Sequence, residues 1–401
     1  MASGTRLFWV LLLALGFFCA QALAQSETWR QHRARGDKLR DAGRFTEAEE
    51  AYAAALKEAE AFGPEDPRVA ACLNSLALLY YAQANYTPAE QLYLRSLQIL
   101  EKGLGKENLE YATLLSNLAE LYSVSGQPGK AEPIYQQWLE TAERVAGPED
   151  PRLLDPLKVF ANFYYLEQRY DEAAGLLERA STIARQQSGA SHPDFAAALN
   201  DLAVAYVAAG HYAKAEPPLQ HAIAIRRNAL GSDDLSLAAS LGTLAEIDRN
   251  RWNLAAAESC LQGVLAIREK RLGASHEDVA AALNNLAEIY RMQREFNRAE
   301  EAFTRALGIW EKTPGRKSAE TAATLLNLAA LHDEQKEFSD ASLLFQRALA
   351  MLETRWGAGH ANLSPVRRAY ARLLREMGNA KEASRQETMA ARATGVSATG
   401  P

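Results

Sequence analysis

Glycine recurs at Gly63, Gly105, Gly147, Gly189, Gly231, Gly273, Gly315 and Gly357, a step of 42 residues with no slip. Two alanine series keep the same step. One runs Ala77, Ala119, Ala161, Ala203, Ala245, Ala287, Ala329, Ala371, and the other Ala89, Ala131, Ala173, Ala215, Ala257, Ala299, Ala341, Ala383. A fixed period of this size makes a solenoid, in which each repeat is one supersecondary unit that buries its apolar face only against its neighbours. That narrows the class of function, because solenoids present long surfaces suited to binding.

Within a repeat the pattern is helical. Leu73, Leu76, Ala77 and Tyr80 fall at i, i+3, i+4 and i+7, one face of a 3.6-residue period, and the set returns at Leu115/Leu118/Ala119/Tyr122, Leu199/Leu202/Ala203/Tyr206 and Leu283/Leu286/Ala287/Tyr290. A second helix follows a short break, with Ala89, Tyr93, Ser96 and Leu100 on one face. A methyl side chain at both crossing positions lets the two helices approach to the short end of the usual range, about 8 Å, while Leu and Tyr fill the flanks. No useful strand-like alternation occurs, so the expected class is all-α. Asp66, Asn108, Asp150, His192, Asp234, His276, Ser318 and His360, three residues after each glycine, read as N-caps, and Pro67, Pro151 and Pro193 suit the first helical position. The glycines, just past the second helix, suit left-handed C-terminal caps.

The stretch LGASHEDVAAALNNLAEIYRMQREFNRAEEAFTRAL, from Leu272 to Leu307, resembles the tetratricopeptide repeat in its long, 42-residue form, the kind found in kinesin light chains. The Ala/Tyr/Ala/aromatic/Ala order separates it from other helical repeats of similar length, and Gly126-Gln127 and Gly210-His211-Tyr212 between helices fit the same family. Asp248 and His332 in the tyrosine place, and Trp252 where a small residue is usual, depart from it. With degenerate copies at Gly36/Ala48 and Ala371/Ala383, the resemblance implies a right-handed α-solenoid of about nine hairpins over residues 25–393. The first copy carries Arg30, Arg33, Arg35, Asp37, Lys38, Arg40 and Asp41, and the last places Glu387 where an aromatic is expected; polar ends stop an array from stacking end to end. Residues 394–401 read as a small, polar, disordered tail.

Residues 1–24 read as an export signal. Arg6 precedes the apolar run Leu7 to Phe18, and Ala22-Leu23-Ala24 offers small residues for cleavage before Gln25. The run is too short to span a bilayer comfortably, and Phe18 before Cys19 is too bulky for lipoprotein processing. A periplasmic or secreted location is therefore expected. Export does not fit kinesin light chains, so no motor-adaptor role follows. Cys72 and Cys260 lie too far apart along a rigid array for a disulfide and read as small buried residues. Losing Arg6 moves the formal charge from −6 to −7, which argues against nucleic acid.

Catalytic signatures are absent: there is no glycine-rich phosphate loop, HExxH or nucleophile elbow. His192, His276 and His360 occupy one loop position in alternate repeats, about 20 Å apart at about 10 Å per repeat, so one metal cannot join them. His211 and His221 read as lying on opposite helices of one hairpin, a weak metal hint. The expectation is no enzyme, no cofactor and no metal. A non-catalytic platform within an envelope-polymer synthesis or secretion complex is the alternative to a free-standing scaffold.

The resemblance also implies where a ligand sits, since in this family the first helix of each hairpin lines the concave side. The corresponding positions are Asn74, Tyr81, Lys158, Asn162, Tyr165, Asn200, Arg249, Asn250, Asn284 and Arg291. Asparagine can hydrogen-bond an extended backbone through both its donor and its acceptor. Leu78, Tyr81, Tyr165, Leu166, Val204 and Val207 make the earlier positions apolar, whereas Arg249, Asn250, Asn284 and Arg291 are polar or basic. A bound segment is expected to turn apolar side chains to the first group and a carboxylate to Arg249 and Arg291. Glu246–Arg249 and Glu288–Arg291 also read as plain i, i+3 pairs.

Overall fold

A computed structural model describes residues 28–312 and 319–393. The export signal, the tail, Gly315 and Ser318 lie outside the described residues. The chain divides into two compact units, the first ending at Gln187 and the second beginning at Ser188. In the first, α1 (28–41), α2 (Phe45–Glu60), α3 (Pro67–Ala82), α4 (Tyr86–Gly103), α5 (Leu109–Val124), α6 (Pro128–Ala146), α7 (Leu154–Leu166) and α8 (Tyr170–Ser188) form four hairpins. The second holds five: α9 (Pro193–Ala208), α10 (Tyr212–Leu230), α11 (Leu235–Asn250), α12 (Leu254–Leu272), α13 (Glu277–Met292), α14 (Phe296–Lys312), α15 (Ala319–Glu334), α16 (Phe338–Trp356), α17 (Ser364–Glu376) and α18 (Ala380–Ala393). Each unit is an α-solenoid: within it α3 packs on α4 and α13 on α14, then α4 on α5 and α14 on α15.

The period explains the packing. Every alanine of both series is at most 3% exposed, so the methyl groups sit where helices cross. In the first hairpin Gly36 takes that place, and a Cβ built on it would lie 2.5 Å from the Tyr52 ring. Trp29 closes the N-terminal end, its indole Nε1 donating to Cys72 Sγ at 2.8 Å. At the other end Arg367 is 1% exposed, held by Glu353 at 2.5 Å and Gln386 at 2.9 Å. Cys72 and Cys260 are both free thiols pushed up to about 11 by burial, although Cys260 is only half-buried, against expectation.

The N-caps are as expected. Asp66, Asn108, Asp150, Asp234 and the three histidines His192, His276 and His360 each accept a backbone N–H two or three residues on. At four glycines of the period, however, the residue is not in the left-handed turn expected there, although Gly105 has φ 75°. Gly147, Gly231, Gly273 and Gly357 have φ of 86–98° with ψ of 146–171°, an extended mirror-image region open only to glycine. The turn with φ of 56–77° lies inside each hairpin, at Gly43, Ala84, Gly126, Gln168, Gly210, Trp252, Arg294, Lys336 and Gly378. There Asn85 N–H donates back to Tyr80 O at 2.8 Å and Ala84 N–H to Tyr81 O at 2.9 Å, a Schellman closure that meets the last carbonyls of the first helix.

The tyrosines of the repeat do more than fill volume. Tyr80, Tyr122 and Tyr164 donate to Glu49, Glu90 and Glu132 of the preceding hairpin at 2.5, 2.8 and 3.0 Å. Cations close two of these links: Lys130 reaches Glu90 at 3.1 Å, and Arg169 reaches Glu132 at 2.7 Å. In the second unit Arg298 bonds both Tyr290, at 2.7 Å, and Glu258, at 2.7 Å. Each buried phenol thereby satisfies its hydroxyl and ties one repeat to the next.

Candidate functional site

First helices of successive hairpins touch side by side, α3 on α5, α9 on α11 and α13 on α15, and their contacts recur about one repeat apart. Asn117 Nδ2 donates to Asn74 Oδ1 at 3.0 Å, and Asn327 Nδ2 to Asn284 Oδ1 at 3.3 Å. Asn200 Oδ1 accepts from Ser240 at 2.9 Å and from the buried Arg226 guanidinium at 3.3 Å. The acceptors of Asn74, Asn200 and Asn284 are therefore already engaged between repeats, which corrects the expectation that they are fully available to a ligand.

In the first unit, Asn74 lines a hollow of about 340 Å³ with Trp29, Arg33, Arg68, Glu110 and Thr113. Three first helices, α1, α3 and α5, build most of its wall. Tyr81 is half-buried, donates to Glu120 at 3.0 Å and lies against Tyr86; burial and that bond push its phenol up to about 12. Lys158 is half-buried and Asn162 exposed. Tyr165 is 37% exposed, edge-on to Tyr170 at 5.1 Å, and Leu166 beside it is 64% exposed.

In the second unit, Arg249 is exposed and lines a hollow of about 250 Å³ with Gly242, Glu246, Leu261, Asn285 and Ile289. No carboxylate among the described residues pairs with it, so the i, i+3 reading of Glu246–Arg249 does not hold. Asn250 turns its amide donor back to Glu246 O at 2.8 Å. Arg291 is different: it pairs with Glu288 at 2.9 Å and with Glu334 one repeat on, and its Nε is buried without a partner. The expectation that Arg249 and Arg291 act together on one acidic stretch is thus corrected, because two carboxylates already neutralise Arg291. Val207 is also corrected, being core rather than lining.

The second helices show the opposite economy. Arg95–Glu60, Arg179–Glu143, Arg305–Glu269 and Arg347–Glu311 bridge one second helix to the next. Such exposed pairs are each worth about 0–1 kcal/mol. His211 and His221 do not share a site, and they are not on opposite helices: His211 caps α10 and His221 lies within it, edge-on to Phe195. Ten residues of helix separate them by about 15 Å. Sequence reasoning missed Trp29, Arg33 and Arg68 in the first hollow, because they lie before the alanine frame used to count positions. It also missed the carboxylates that occupy Tyr81 and Arg291, which come from the next repeat. Among the described residues no helix is long and apolar enough to cross a membrane.

The tetratricopeptide repeat family matches residues 31–102, 112–152, 157–228, 235–312 and 278–354, well over half of the chain. No curated protein matches it. Among solved structures, the apo form of RapI is similar over 92% of this chain and 99% of its own, at 15% identity and a TM-score of 0.58. Aspartyl phosphate phosphatase F from Bacillus subtilis is similar over 92% and 94%, at 11% identity and a TM-score of 0.55. A putative kinesin light chain from Podosopora anserina with nearly identical TPR-like repeats is similar over 51% of this chain and 97% of its own, at 26% identity and a TM-score of 0.47. With the paired alanines buried at every crossing and the family matched along most of its length, the chain is a member of the tetratricopeptide repeat family.

Proposed function

We propose that the chain is an exported protein-interaction scaffold that holds an extended segment of a protein partner on the face built by its first helices. One observation carries the reading. Within the second unit, Arg305–Glu269 and Arg347–Glu311 bridge one second helix to the next, whereas Arg249 on the first helix α11 lines a hollow and pairs with no carboxylate among the described residues. Hydrogen bonds to charged groups contribute about 1.5–3 kcal/mol, so a partner carboxylate on Arg249 accounts for tenfold or more in affinity. Membership in a repeat family whose arrays present extended binding surfaces supports the same assignment.

The test is co-purification from the exported fraction, followed by affinity measurements on the partner so identified. Arg249→Ala should weaken binding at least tenfold and flatten its salt dependence, while Arg305→Ala on a second helix of the same unit should leave binding unchanged. Equal affinities for Arg249→Ala and wild type would move the site off this face. Arg291→Ala serves as a contrast: it strands Glu288 and Glu334 without their shared cation, so it should lower stability by about 1 kcal/mol. Export rests on the run Leu7 to Phe18 followed by Ala22-Leu23-Ala24. Protein recovered outside the cytoplasm should begin at or near Gln25, and intact Met1 on membrane-bound material would overturn cleavage.

A further inference from the structure

The turn between α13 and α14 and the turn between α15 and α16 occupy the same place in successive repeats. In the first, Arg298 lies over the Tyr290 ring, its Cζ 3.9 Å from the centroid, and also binds Glu258 and Glu295. Forty-two residues on, Tyr290 becomes His332, Glu295 becomes Glu337 and Arg298 becomes Asp340. The cation has been exchanged for a carboxylate, and the phenol for an imidazole. Earlier turns keep a cation: Lys130 on Glu90, Arg169 on Glu132, Lys214 over Tyr206 and Arg251 on Glu216.

The two replaced groups converge with the retained glutamate. His332 Nδ1 lies 2.6 Å from Glu337 Oε2, and one ligand atom from each of His332, Glu337 and Asp340 lies within 4.8 Å of the other two. Backbone bonds fix the spacing, with Glu337 N–H donating to His332 O at 2.8 Å and Asp340 N–H to Glu337 O at 3.2 Å. The His332 side chain is 12% exposed, so a short, ordered turn presents it rather than a loose loop. Among the described residues no lysine or arginine pairs with Glu337 or Asp340, and Lys336 in the same turn makes no ion pair with them. A separate sign of an incomplete network is Gln335, whose Nε2 is buried without an acceptor. Its counterpart one repeat earlier, Gln293, donates to Glu258 at 3.0 Å.

We propose that His332, Glu337 and Asp340 bind a divalent first-row transition ion of the zinc type. One imidazole and two carboxylates are a nitrogen–oxygen set suited to such ions and poorly suited to magnesium. Their summed charge of −2 with a neutral imidazole is the charge the ion cancels, the part Arg298 plays one repeat earlier. Zinc bonds of about 2.0–2.2 Å require the ligand atoms to sit about 3.3–3.5 Å apart, so the Glu337 carboxylate moves out from its 2.6 Å contact with Nδ1 while Asp340 settles to that spacing. Rotation of Glu337 and Asp340, both exposed, supplies that movement. Nδ1 then exchanges its bond to Glu337 for the metal; the proton it donated to Glu337 passes to water and Nε2 takes one from water, so the ring stays neutral. Three protein ligands leave a fourth position for water or for a side chain of a bound partner.

The experiment uses untagged, chelator-treated full-length protein titrated with Zn²⁺ by calorimetry and in competition with a coloured chelator. Two variants accompany the wild type. Asp340→Asn removes one ligand, and the double change His332→Tyr with Asp340→Arg restores the residues of the preceding repeat, so it should fold. Wild type should bind one more zinc per chain than the restored variant, with affinity at least tenfold weaker in Asp340→Asn. Zn²⁺ should raise the thermal midpoint of wild type alone. X-ray absorption should show only nitrogen and oxygen ligands. Equal stoichiometry and affinity in wild type and the restored variant, no zinc bound in the micromolar range, or sulfur ligation from Cys72 or Cys260 would each overturn the site.

Discussion

Each repeat bends the chain back at a tight turn and crosses its two helices a few residues away, and the two places treat sequence in opposite ways. At the crossings the described hairpins allow only alanine or, at Gly36, glycine, all buried. At the turn the same left-handed φ is adopted by Gly126, Gly210 and Gly378 but also by Ala84, Gln168, Trp252, Arg294 and Lys336. A crossing is a contact between two backbones, and an added methylene there has nowhere to go. A turn points its side chain to solvent and only strains its own backbone, at about 1–2 kcal/mol for a residue other than glycine. Steric exclusion inside a packed interface is therefore the stricter rule, and it is what keeps the 42-residue period legible.

The largest effect expected from this contrast is at a crossing. Ala203→Leu should cost about 1–3 kcal/mol by overpacking α9 against α10, whereas Gln168→Leu at a turn should change little. Comparable thermal midpoints for the two would break the distinction. Gly36→Ala should follow, at about 1–2 kcal/mol, since its Cβ meets the Tyr52 ring at 2.5 Å. Denaturant midpoints compared with Gly43→Ala, where the added Cβ meets nothing within 4 Å, would separate crowding from φ strain.

A smaller effect is expected where the turn meets the next repeat. The hydrogen bond from Arg169, with the bond from Tyr164, holds the Glu132 carboxyl below its ordinary value of 4.5. A folded value lower than the unfolded one means the contribution is full above about pH 4.5 and is lost as pH falls through the folded value. Glu132→Gln should thus cost up to about 1 kcal/mol at neutral pH and nothing at low pH, making the acid limb of the stability curve shallower. Identical acid limbs would remove the ladder from the account. Smallest of all, Trp252→Gly should raise stability by a few tenths of a kcal/mol, as relief of left-handed strain exceeds glycine's chain entropy. Trp252 is 72% exposed, so little packing is lost; a falling midpoint would show that the indole contributes contacts that outweigh the strain.

Much of the fold was legible because a repeat states the same steric requirement many times. The alanines, the N-caps and the three loop histidines each fulfilled the role their position implied. The left-handed turn was misplaced because glycine is frequent at both bends, and only at one of them is it indispensable. The site was less legible. The family resemblance put Arg249 among the lining positions, but nothing local to Arg291 foretold Glu334, 43 residues on. The cluster of His332, Glu337 and Asp340 showed in sequence only as a missing tyrosine.

The sequence by itself determined the helices, their pairing and the family, because those follow from periods of 3.6 and 42 residues that any reader of the chain can count. Tertiary structure decided which polar groups remain open to a partner. Asn74, Asn200, Asn284 and Arg291 look alike with Arg249 in the repeat frame, yet neighbours consume the first four in whole or part and leave the last unpaired. The reason is distance along the chain: a hydrogen bond or ion pair depends on side chains a full repeat away, whose reach is set by how successive hairpins stack.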